Sequence, residues 1–258
     1  LGTSTMDITT DPYALVAISA NNVLHGVGVA DATGNLTLNY TPFETTDAAQ
    51  LVMTRSQRRP LIVNLPVLPN VGPYVTATTV VVNDGNNATA EAGETIGLDV
   101  TFNNVGVQDA TNLTATIGTD SPYFALTQTT ASISVVPSNQ TVTVSNAFTA
   151  VVSAMIPDQT VVPIVITITD GNNAWTSNRS ITVNAANVSV QSINYADSNG
   201  NGYNEACETV TVTVNLSNTG HMNAAGGSMM IVANNANVTL SQETFIIPAI
   251  NIGSTIPV

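Results

Sequence analysis

The stretch EAGETIGLDVTFNNVGVQDA (91–110) decides the fold, because a second stretch, EACETVTVTVNLSNTGHMNA (205–224), aligns with it without a gap. Apolar side chains recur at every second position from Ile96 in the first copy and from Val210 in the second. Such alternation predicts a strand with one buried and one exposed face. Each strand ends at an Asn-x-Gly turn, so the chain carries one structural unit twice, about 114 residues apart.

Five further apolar segments follow the first copy, separated by Gly, Pro, Asn and Asp. They are LTATI (113–117), ASISVV (131–136), TVTVSNAF (141–148), VVPIVITITD (161–170) and RSITVNA (179–185). Short strands at this density are typical of immunoglobulin-like β-sandwiches. No stretch of ten or more residues combines helical periodicity with capping signals. We therefore predict an all-β chain of tandem sandwiches.

Domain boundaries follow from the repeat and from the proline-rich stretch LIVNLPVLPNVGP (61–73), which reads as the exit from a first unit. The third unit is predicted to be incomplete, because Val258 aligns with Val144 and the counterparts of residues 145–186 are absent. Either the natural chain continues, or another chain completes the sandwich by strand exchange. The predicted units are 1–72, 73–186 and 187–258.

Composition excludes several classes of protein. The 258 residues contain no lysine, four arginines and 17 acidic residues, for a formal net charge of −13. Such a surface repels phosphate backbones, which excludes nucleic-acid binding. The single cysteine forms no intrachain disulfide, and no apolar run is long enough to span a membrane. Polarity comes from Asn, Thr and Ser, a composition that favours an extracellular or cell-surface location.

Residues 1–76 resemble a known family. LGTSTMDITTDPY (1–13) resembles the segment that closes the catalytic domain of gingipain-like cysteine peptidases. The strand GNLTLNY (34–40) and the exit GPYV (72–75) follow in the order found in the immunoglobulin-like domain of those enzymes. Thr3-Ser4-Thr5 departs from the family's usual Asp-Pro-Ser, and the first strands of the domain are not recognisable after Tyr13.

The resemblance implies a peptidase domain upstream, of which residues 1–13 would be the tail, and a sorting domain for type IX secretion downstream. The two later units resemble the CARDB-type sandwiches that follow such domains in secreted proteins. The family's catalytic cysteine and histidine belong to the upstream domain, so no residue of this chain inherits their roles.

Catalysis within the chain needs an activated nucleophile, and Cys207 is a poor one. Its neighbours Glu205 and Glu208 disfavour a thiolate, and His25 and His221 lie in different predicted units, where neither belongs to a recognisable motif. We expect His221 to be an exposed turn residue and Cys207 to sit at a strand edge. The chain is predicted not to be an enzyme.

A calcium site is the stronger chemical candidate. DSNGNGYNEACE (197–208) has the spacing of an EF-hand loop, with a glycine at position 6. The flanking helices of an EF-hand are missing. The alternative is a polar turn whose Asp and Asn side chains bond their own backbone. The predicted Ca²⁺ ligands are Asp197, Asn199, Asn201, Glu205 and Glu208.

The first copy offers a second, weaker calcium candidate in NDGNNATAEAGE (83–94). This loop is one residue shorter and lacks the glycine at position 6. Its carboxylates have the chemistry for acid–base work, but no substrate cleft is recognisable around them. The ligands would be Asp84, Asn86, Glu91 and Glu94.

Two other features have competing interpretations. Trp175, the sole tryptophan, is expected in a core, with a surface contact for sugar or protein as the alternative. The cluster of Arg55, Arg58 and Arg59 is expected to be a solvated turn, with docking of an acidic partner as the alternative.

Taken together, these features predict a non-catalytic spacer or adhesion region of a secreted protein. Its expected partners are protein or glycan surface ligands, or copies of itself. The alternative function is a structural subunit of a surface layer or filament, assembled by strand exchange between chains.

Overall fold

The protein is all-β, as predicted. A computed structural model describes residues 1–45, 48–69 and 71–258, and in these ranges the chain forms 20 strands and no helix. Its cores are three separate clusters of buried side chains, one in each predicted unit. The described residues contain no helix with the length and apolarity that a membrane crossing requires.

The first unit packs a two-stranded sheet on a four-stranded antiparallel sheet. Ile8 and Leu38 from the smaller sheet meet Val16, Ile18 and Leu51 from the larger in one buried core. The six strands are β1 (Thr5–Thr9), β2 (Leu15–Ala20), β3 (Val23–Val29), β4 (Asn35–Asn39), β5 (Ala49–Thr54) and β6 (Leu61–Leu65). β1 pairs with β4, and the larger sheet has the order β3-β2-β5-β6.

Residues 1–13, predicted to be the tail of a preceding domain, instead contribute β1 to this unit. Met6 pairs with Leu38 across the small sheet, and Ile8 is 9% exposed. The alternation of Met6 and Ile8 gives β1 one apolar face, which closes the core of the unit. Asn70, within the predicted proline-rich linker, lies outside the described residues.

The second unit is an immunoglobulin-like sandwich. Its nine strands are β7 (Val75–Asn83), β8 (Ala90–Glu91), β9 (Thr95–Asn104), β10 (Ala110–Gly118), β11 (Phe124–Gln128), β12 (Thr130–Val136), β13 (Gln140–Val152), β14 (Thr160–Thr169) and β15 (Ala174–Asn184). The sheets have the orders β11-β13-β9-β7 and β12-β10-β14-β15-β8. With β8 and β12 set aside as extra edge strands, these orders match the two sheets of a constant-type immunoglobulin domain.

The core of the second unit lies between the inner faces of these sheets. Phe102 on β9 and Phe148 on β13 are fully buried against the other sheet, which contributes Ile166 and Ile168. Trp175 on β15 is also buried, with 7% of its surface exposed, as expected for a core residue. Each large apolar side chain buried in this way contributes about 1.5–3 kcal/mol.

The third unit repeats the second in register. Leu216 pairs with Ile256 as Phe102 pairs with Val142, 114 residues earlier in both strands. Leu113–Ile133 and Gly227–Ile247 form another pair with the same interval. The strands are β16 (Val188–Asp197), β17 (Val210–Asn218), β18 (Gly227–Met230), β19 (Thr244–Ile247) and β20 (Thr255–Pro257).

In the third unit, one apolar face of the sheet is open. Val190 and Val212 are 53% and 40% exposed, whereas Ala77 and Leu98, at the same positions of the second unit, are 0% exposed. In the second unit this face is covered by the sheet that contains β14 and β15. Within the described residues, the third unit has no counterparts of those two strands.

Candidate functional site

A buried asparagine ties the second unit to the segment by which the chain enters it. Asn104 is 0% exposed at the end of β9. Its Oδ1 accepts hydrogen bonds from the backbone N–H groups of Tyr74 and Gly106, each at 3.0 Å. Its Nδ2 donates to the carbonyl oxygens of Gln108 at 2.8 Å and Val136 at 3.0 Å. One side chain thus satisfies four backbone groups from three separate segments.

The third unit contains the same arrangement. Asn218, also 0% exposed, accepts from the N–H groups of Asn187 at 3.0 Å and Gly220 at 3.1 Å. It donates to the carbonyl oxygens of Met222 at 2.9 Å and Ile250 at 3.1 Å. We call these two four-bond arrangements the asparagine clamps.

The glycine of each Asn-x-Gly turn lies directly on the entering segment. A Cβ added to Gly106 would lie 2.3 Å from the carbonyl oxygen of Gly72, and one added to Gly220 would lie 2.3 Å from that of Ala185. Real Cβ atoms do not approach backbone so closely, so only glycine fits. The two turns match in sequence, but the sequence does not indicate the role of the asparagines, because two of the four groups each one binds lie about 30 residues away in the chain.

Further contacts join the first and second units. Arg179 on β15 donates to Glu44 of the first unit at 2.6 Å, with the two side chains only 22% and 30% exposed. The same guanidinium donates from Nε to the carbonyl oxygen of Thr78 at 3.2 Å. The ion pair therefore anchors the first unit to two strands of the second.

Asp158 links the second unit to the third. Its Oδ1 accepts from the N–H of Ala185 at 2.9 Å, and its Oδ2 lies 2.7 Å from Nδ1 of His221. Burial acts to raise the pKa of Asp158, but these hydrogen bonds outweigh it and leave the pKa below its ordinary value. His221 is more than half exposed, as predicted for a turn residue, but it also has this specific carboxylate partner.

The predicted calcium loop at 197–208 is held by its own carboxylates. Asp197 Oδ2 accepts from the N–H of Gly202 at 3.0 Å, and Glu208 Oε2 accepts from the N–H of Glu205 at 3.0 Å. Glu205 Oε2 accepts from the side-chain amides of Asn199 at 3.4 Å and Asn201 at 3.2 Å. These side chains converge on one loop, in contacts that also fit a polar turn.

The loop at 84–94 has the same pattern despite its shorter length. Glu94 Oε2 accepts from the N–H of Glu91 at 3.1 Å, and Glu94 Oε1 accepts from the amide of Asn86 at 3.2 Å. The backbone N–H of Asn86 donates to Asp84 Oδ1, and such amide donors hold the pKa of Asp84 below its ordinary value despite desolvation. The other oxygen, Asp84 Oδ2, is buried and has no hydrogen-bond partner.

No arrangement of three or more His, Cys, Asp and Glu side chains suited to a metal ion occurs in the ranges 1–45, 48–69 and 71–258. Both loops nevertheless keep their asparagine and backbone oxygens, which are also calcium ligands. The calcium assignment therefore stays a prediction.

Cys207 has a strained backbone rather than a catalytic setting. Its thiol is exposed, and its φ of 65° matches the φ of 85° at Gly93, the equivalent residue of the second unit. His25 lies in the first unit, with Nδ1 2.9 Å from the carbonyl oxygen of Thr41, and His221 contacts Asp158. The two histidines are therefore engaged elsewhere, and neither contact involves Cys207.

A cleft of about 1110 Å³ opens between the first and second units. Tyr40 and Tyr74 line it with Trp175, which meets Tyr74 edge-on at a centroid distance of 6.4 Å. Burial raises the pKa of Tyr74, and the charge of Glu44 acts in the same direction. This cleft could not be predicted from the sequence, because its walls come from two units.

The arginine cluster lies in the turn after β5, as predicted for a solvated segment. Arg58 approaches Asp11 at 3.6 Å, with both side chains largely exposed. An exposed pair of this kind contributes about 0–1 kcal/mol. Docking of an acidic partner on this turn stays an untested alternative.

Comparisons with known proteins assign no family. A scan against protein-family models finds no match, and a search of curated proteins finds none either. Among solved structures, the chain is similar to the N-terminal eight Ig domains of Down Syndrome Cell Adhesion Molecule. The TM-score is 0.29 and the sequence identity 10%, over 99% of this chain and 34% of that one.

Two further solved structures are similar at the same level. Salmonella alpha-2-macroglobulin reacted with methylamine gives a TM-score of 0.24 and 9% identity, over 98% of this chain and 20% of that one. An endo-fucoidan hydrolase of glycoside hydrolase family 107 gives a TM-score of 0.27 and 14% identity, over 98% of this chain and 39% of that one. The chain thus spans well under half of each structure, and TM-scores this low assign neither a family nor a function.

Proposed function

We propose that the chain is a non-catalytic spacer and adhesion region of an extracellular protein. The observation that carries this proposal is the pair of asparagine clamps. Asn104 and Asn218 each fix the backbone at the entrance to a unit, through the same four hydrogen bonds. Units whose entrances are fixed in the same way hold a regular geometry, which is what a spacer needs.

The surface area of the chain supports an extended arrangement. It exposes 14773 Å², whereas a compact monomer of 26.6 kDa exposes about 10,700 Å². Part of this excess surface area comes from the open face of the third unit. The rest arises because three small units with separate cores expose more surface than one large unit. An extended chain of separate cores presents its units to partners at a distance from the remainder of the protein.

The resemblance of residues 1–76 to gingipain-like peptidases supports a secreted parent protein for this region. In that proposal the spacer carries a peptidase domain away from the cell surface, and a type IX sorting domain lies beyond it. The chemistry of cleavage belongs to the parent enzyme. This chain contributes reach and contacts with protein or glycan ligands.

We also propose that Ca²⁺ binds the two acidic loops and stiffens the turns beside the unit entrances. The buried oxygen Asp84 Oδ2, which lacks a hydrogen-bond partner, supports this proposal because a cation would satisfy it. The other oxygen ligands would come from Asn86, Glu91 and Glu94 in the second unit and from Asp197, Asn199, Asn201, Glu205 and Glu208 in the third.

Small-angle X-ray scattering of the whole chain tests the spacer role. A compact globule of 258 residues has a radius of gyration of about 18 Å. The proposal requires a value well above this, with a distance distribution that has a long tail. A radius near that of a compact globule, in monomeric protein, would rule out a spacer.

A calcium-dependent unfolding experiment tests the metal assignment. Trp175 lies in the second unit, so its fluorescence reports the unit that contains Glu94. Free calcium at 100 times its dissociation constant stabilises a binding-competent unit by about 2.7 kcal/mol. Glu94→Gln should abolish the calcium shift of this transition, whereas the matched variant Glu208→Gln should leave it intact. Equal midpoints in calcium and in chelator would exclude binding at 84–94.

A second candidate function rests on the open face of the third unit. Val190, Ile193 and Val212 are each at least 40% exposed on one sheet, and an edge of β17 is free beyond its short pairing with β20. An extended strand from a second copy would pair with that edge and cover the face, as in a filament. Sedimentation over a range of concentrations tests this, and a chain that stays monomeric and folded at high concentration would refute it.

A further inference from the structure

We propose that the cleft between the first and second units binds a neutral oligosaccharide. This proposal deepens the adhesive role above and rests on it, since it names a ligand class and a place for the contact. Clefts at domain boundaries are common ligand sites, and a volume of about 1110 Å³ is ample for several sugar rings.

The walls of the cleft carry uncharged hydrogen-bonding groups on both sides. Asn39 comes from the end of β4 in the first unit, while Asn172 and Asn178 come from the β14–β15 hairpin of the second. All three are exposed, and their side-chain amides make no hydrogen bond to the described residues. An amide offers two donors and an acceptor, which matches the paired donor and acceptor character of sugar hydroxyls.

Aromatic rings line the cleft beside these amides. Tyr40 and Tyr74 contribute from the two units, and Trp175 lies against Tyr74. Tyr40 is fixed by a hydrogen bond of 2.8 Å between its hydroxyl and Oγ1 of Thr3. Tyr40, Tyr74 and Trp175 are only 8%, 5% and 7% exposed, so each ring presents a narrow edge of aromatic carbon to the cleft. Narrow apolar edges beside exposed neutral amides suit a ligand that carries both C–H groups and hydroxyls, such as a pyranose ring.

Charge argues against anionic ligands. Among the described residues that line the cleft, Glu44 supplies the one carboxylate, and it is paired with the guanidinium of Arg179 at 2.6 Å. The whole chain carries a net charge of −13, which repels phosphates, sulfates and uronates. The lining also holds the imidazole of His25 and the N-terminal ammonium of Leu1, which donates to the carbonyl oxygen of Leu68 at 3.0 Å, and its other polar side chains are those of Asn, Thr, Ser and Tyr. We therefore assign a neutral glycan as the ligand class.

The two walls are held together before any ligand arrives. The Arg179–Glu44 pair is mostly buried and charge-assisted, and Arg179 also donates to the carbonyl oxygen of Thr78. A site whose walls are already in place avoids the ordering cost that weakens binding to flexible surfaces.

The sole tryptophan supplies the readout. Mannotetraose, cellotetraose, laminaritetraose and chitotetraose are titrated into the whole chain while Trp175 fluorescence is recorded, with calorimetry on any that respond. We expect at least one of them to give a saturable change. No response from any of the four would overturn the proposal.

Substitutions then locate the site. The double variant Asn172→Ala/Asn178→Ala should weaken binding at least about tenfold, equivalent to about 1.4 kcal/mol, and Asn39→Ala should weaken it from the opposite wall. Asn194→Ala, an exposed strand asparagine in the third unit, is the matched control and should bind normally. Unchanged thermal unfolding confirms that each variant is folded.

Each remaining outcome has a definite meaning. Saturable binding that survives all three asparagine substitutions would place the sugar elsewhere and overturn the proposal. A short neutral peptide that competes with the sugar and depends on the same asparagines would overturn the assignment of the ligand class. An elongated chain that binds no sugar would refute this cleft as a glycan site and leave the spacer role standing.

Discussion

Replacing Asn104 by alanine tests the asparagine clamp directly. The substitution removes a fully buried amide and strands the backbone N–H groups of Tyr74 and Gly106, together with the carbonyl oxygens of Gln108 and Val136. Alanine provides neither donor nor acceptor. The four backbone groups must stay unpaired or admit water into a packed turn.

The expected loss is large for a domain of this size. A buried polar group left without a partner costs about 1–3 kcal/mol. Four such groups, each taken at the low end of that range, give a total of about 4 kcal/mol. A domain has a free energy of unfolding of about 5–15 kcal/mol, so the second unit of the Asn104→Ala variant should fold but be marginal.

Urea unfolding followed by Trp175 fluorescence measures this loss in the second unit alone, because the chain has no other tryptophan. With a slope of about 1.5 kcal/mol per molar urea, the midpoint should fall by about 2–3 M. Asn218→Ala removes the matching clamp in the third unit and should barely move the Trp175 transition. A midpoint shift below about 0.5 M for Asn104→Ala, or an equal shift for Asn218→Ala, would refute the role assigned to the clamp.

Three further substitutions test neighbouring features. Cys207→Gly should stabilise the third unit by about 1 kcal/mol, because it relieves a positive φ of 65°; no gain in circular-dichroism unfolding would contradict this. Gly220→Ala places a Cβ 2.3 Å from the carbonyl oxygen of Ala185. It should therefore destabilise the third unit and broaden the distance distribution from X-ray scattering. An unchanged distance distribution would show that the close contact is dispensable. His221→Val removes the contact with Asp158, whose pKa lies below its ordinary value. The stabilisation from this carboxylate is present above about pH 4 and is lost as the pH falls through its folded pKa, so wild type and variant should differ in unfolding midpoint at pH 7 and converge in acid.

The strands could be predicted because the pattern that indicates each strand lies within its own few residues. Alternation in β9 and β17 places every second side chain on one face, and that pattern alone distinguishes a half-buried strand from a helix. The alignment of 91–110 with 205–224 then predicted a second unit, which the paired registers of Phe102 and Leu216 confirm. Burial of Trp175 has a different basis: its sequence neighbours are mostly polar, and the prediction rests on the rule that the single tryptophan of a sandwich usually lies in its core.

Features that depend on distant segments could not be predicted in the same way. The amide of Asn104 reaches Tyr74 and Val136, which are 30 and 32 positions away in the chain. From sequence alone an asparagine before glycine indicates only a turn. The cleft beside Trp175 and the ion pair of Arg179 are harder still to predict from the sequence, because predicting either one requires knowing how two units are placed relative to each other.

The role of residues 1–13 could not be predicted from their resemblance to the end of a catalytic domain. A resemblance in sequence says where such a segment occurs in other proteins, but not what it packs against here. β1 is only five residues long, and its alternation of Met6 and Ile8 is too short to stand out. β1 pairs with β4 in the structure, and these two strands form the second sheet, which covers the core of the first unit.

The two copies also separate what the fold requires from what it tolerates. Residues of the strand before each acidic loop are displaced by 113 positions between the copies, and residues of the strands after the loop by 114, so Ala77–Phe102 corresponds to Val190–Leu216. The longer loop therefore absorbs one extra residue while the strand pairing is kept. In the clamps, the interval back to the entering segment takes up this residue and grows from 30 at Tyr74 to 31 at Asn187. The intervals from Asn104 to Gly106 and to Val136 recur unaltered from Asn218. An asparagine can reach both its own turn and a strand end on the other sheet only if those intervals are kept. Any further unit of this kind should therefore be recognisable by Asn-x-Gly at the end of an alternating strand, whatever the length of its acidic loop.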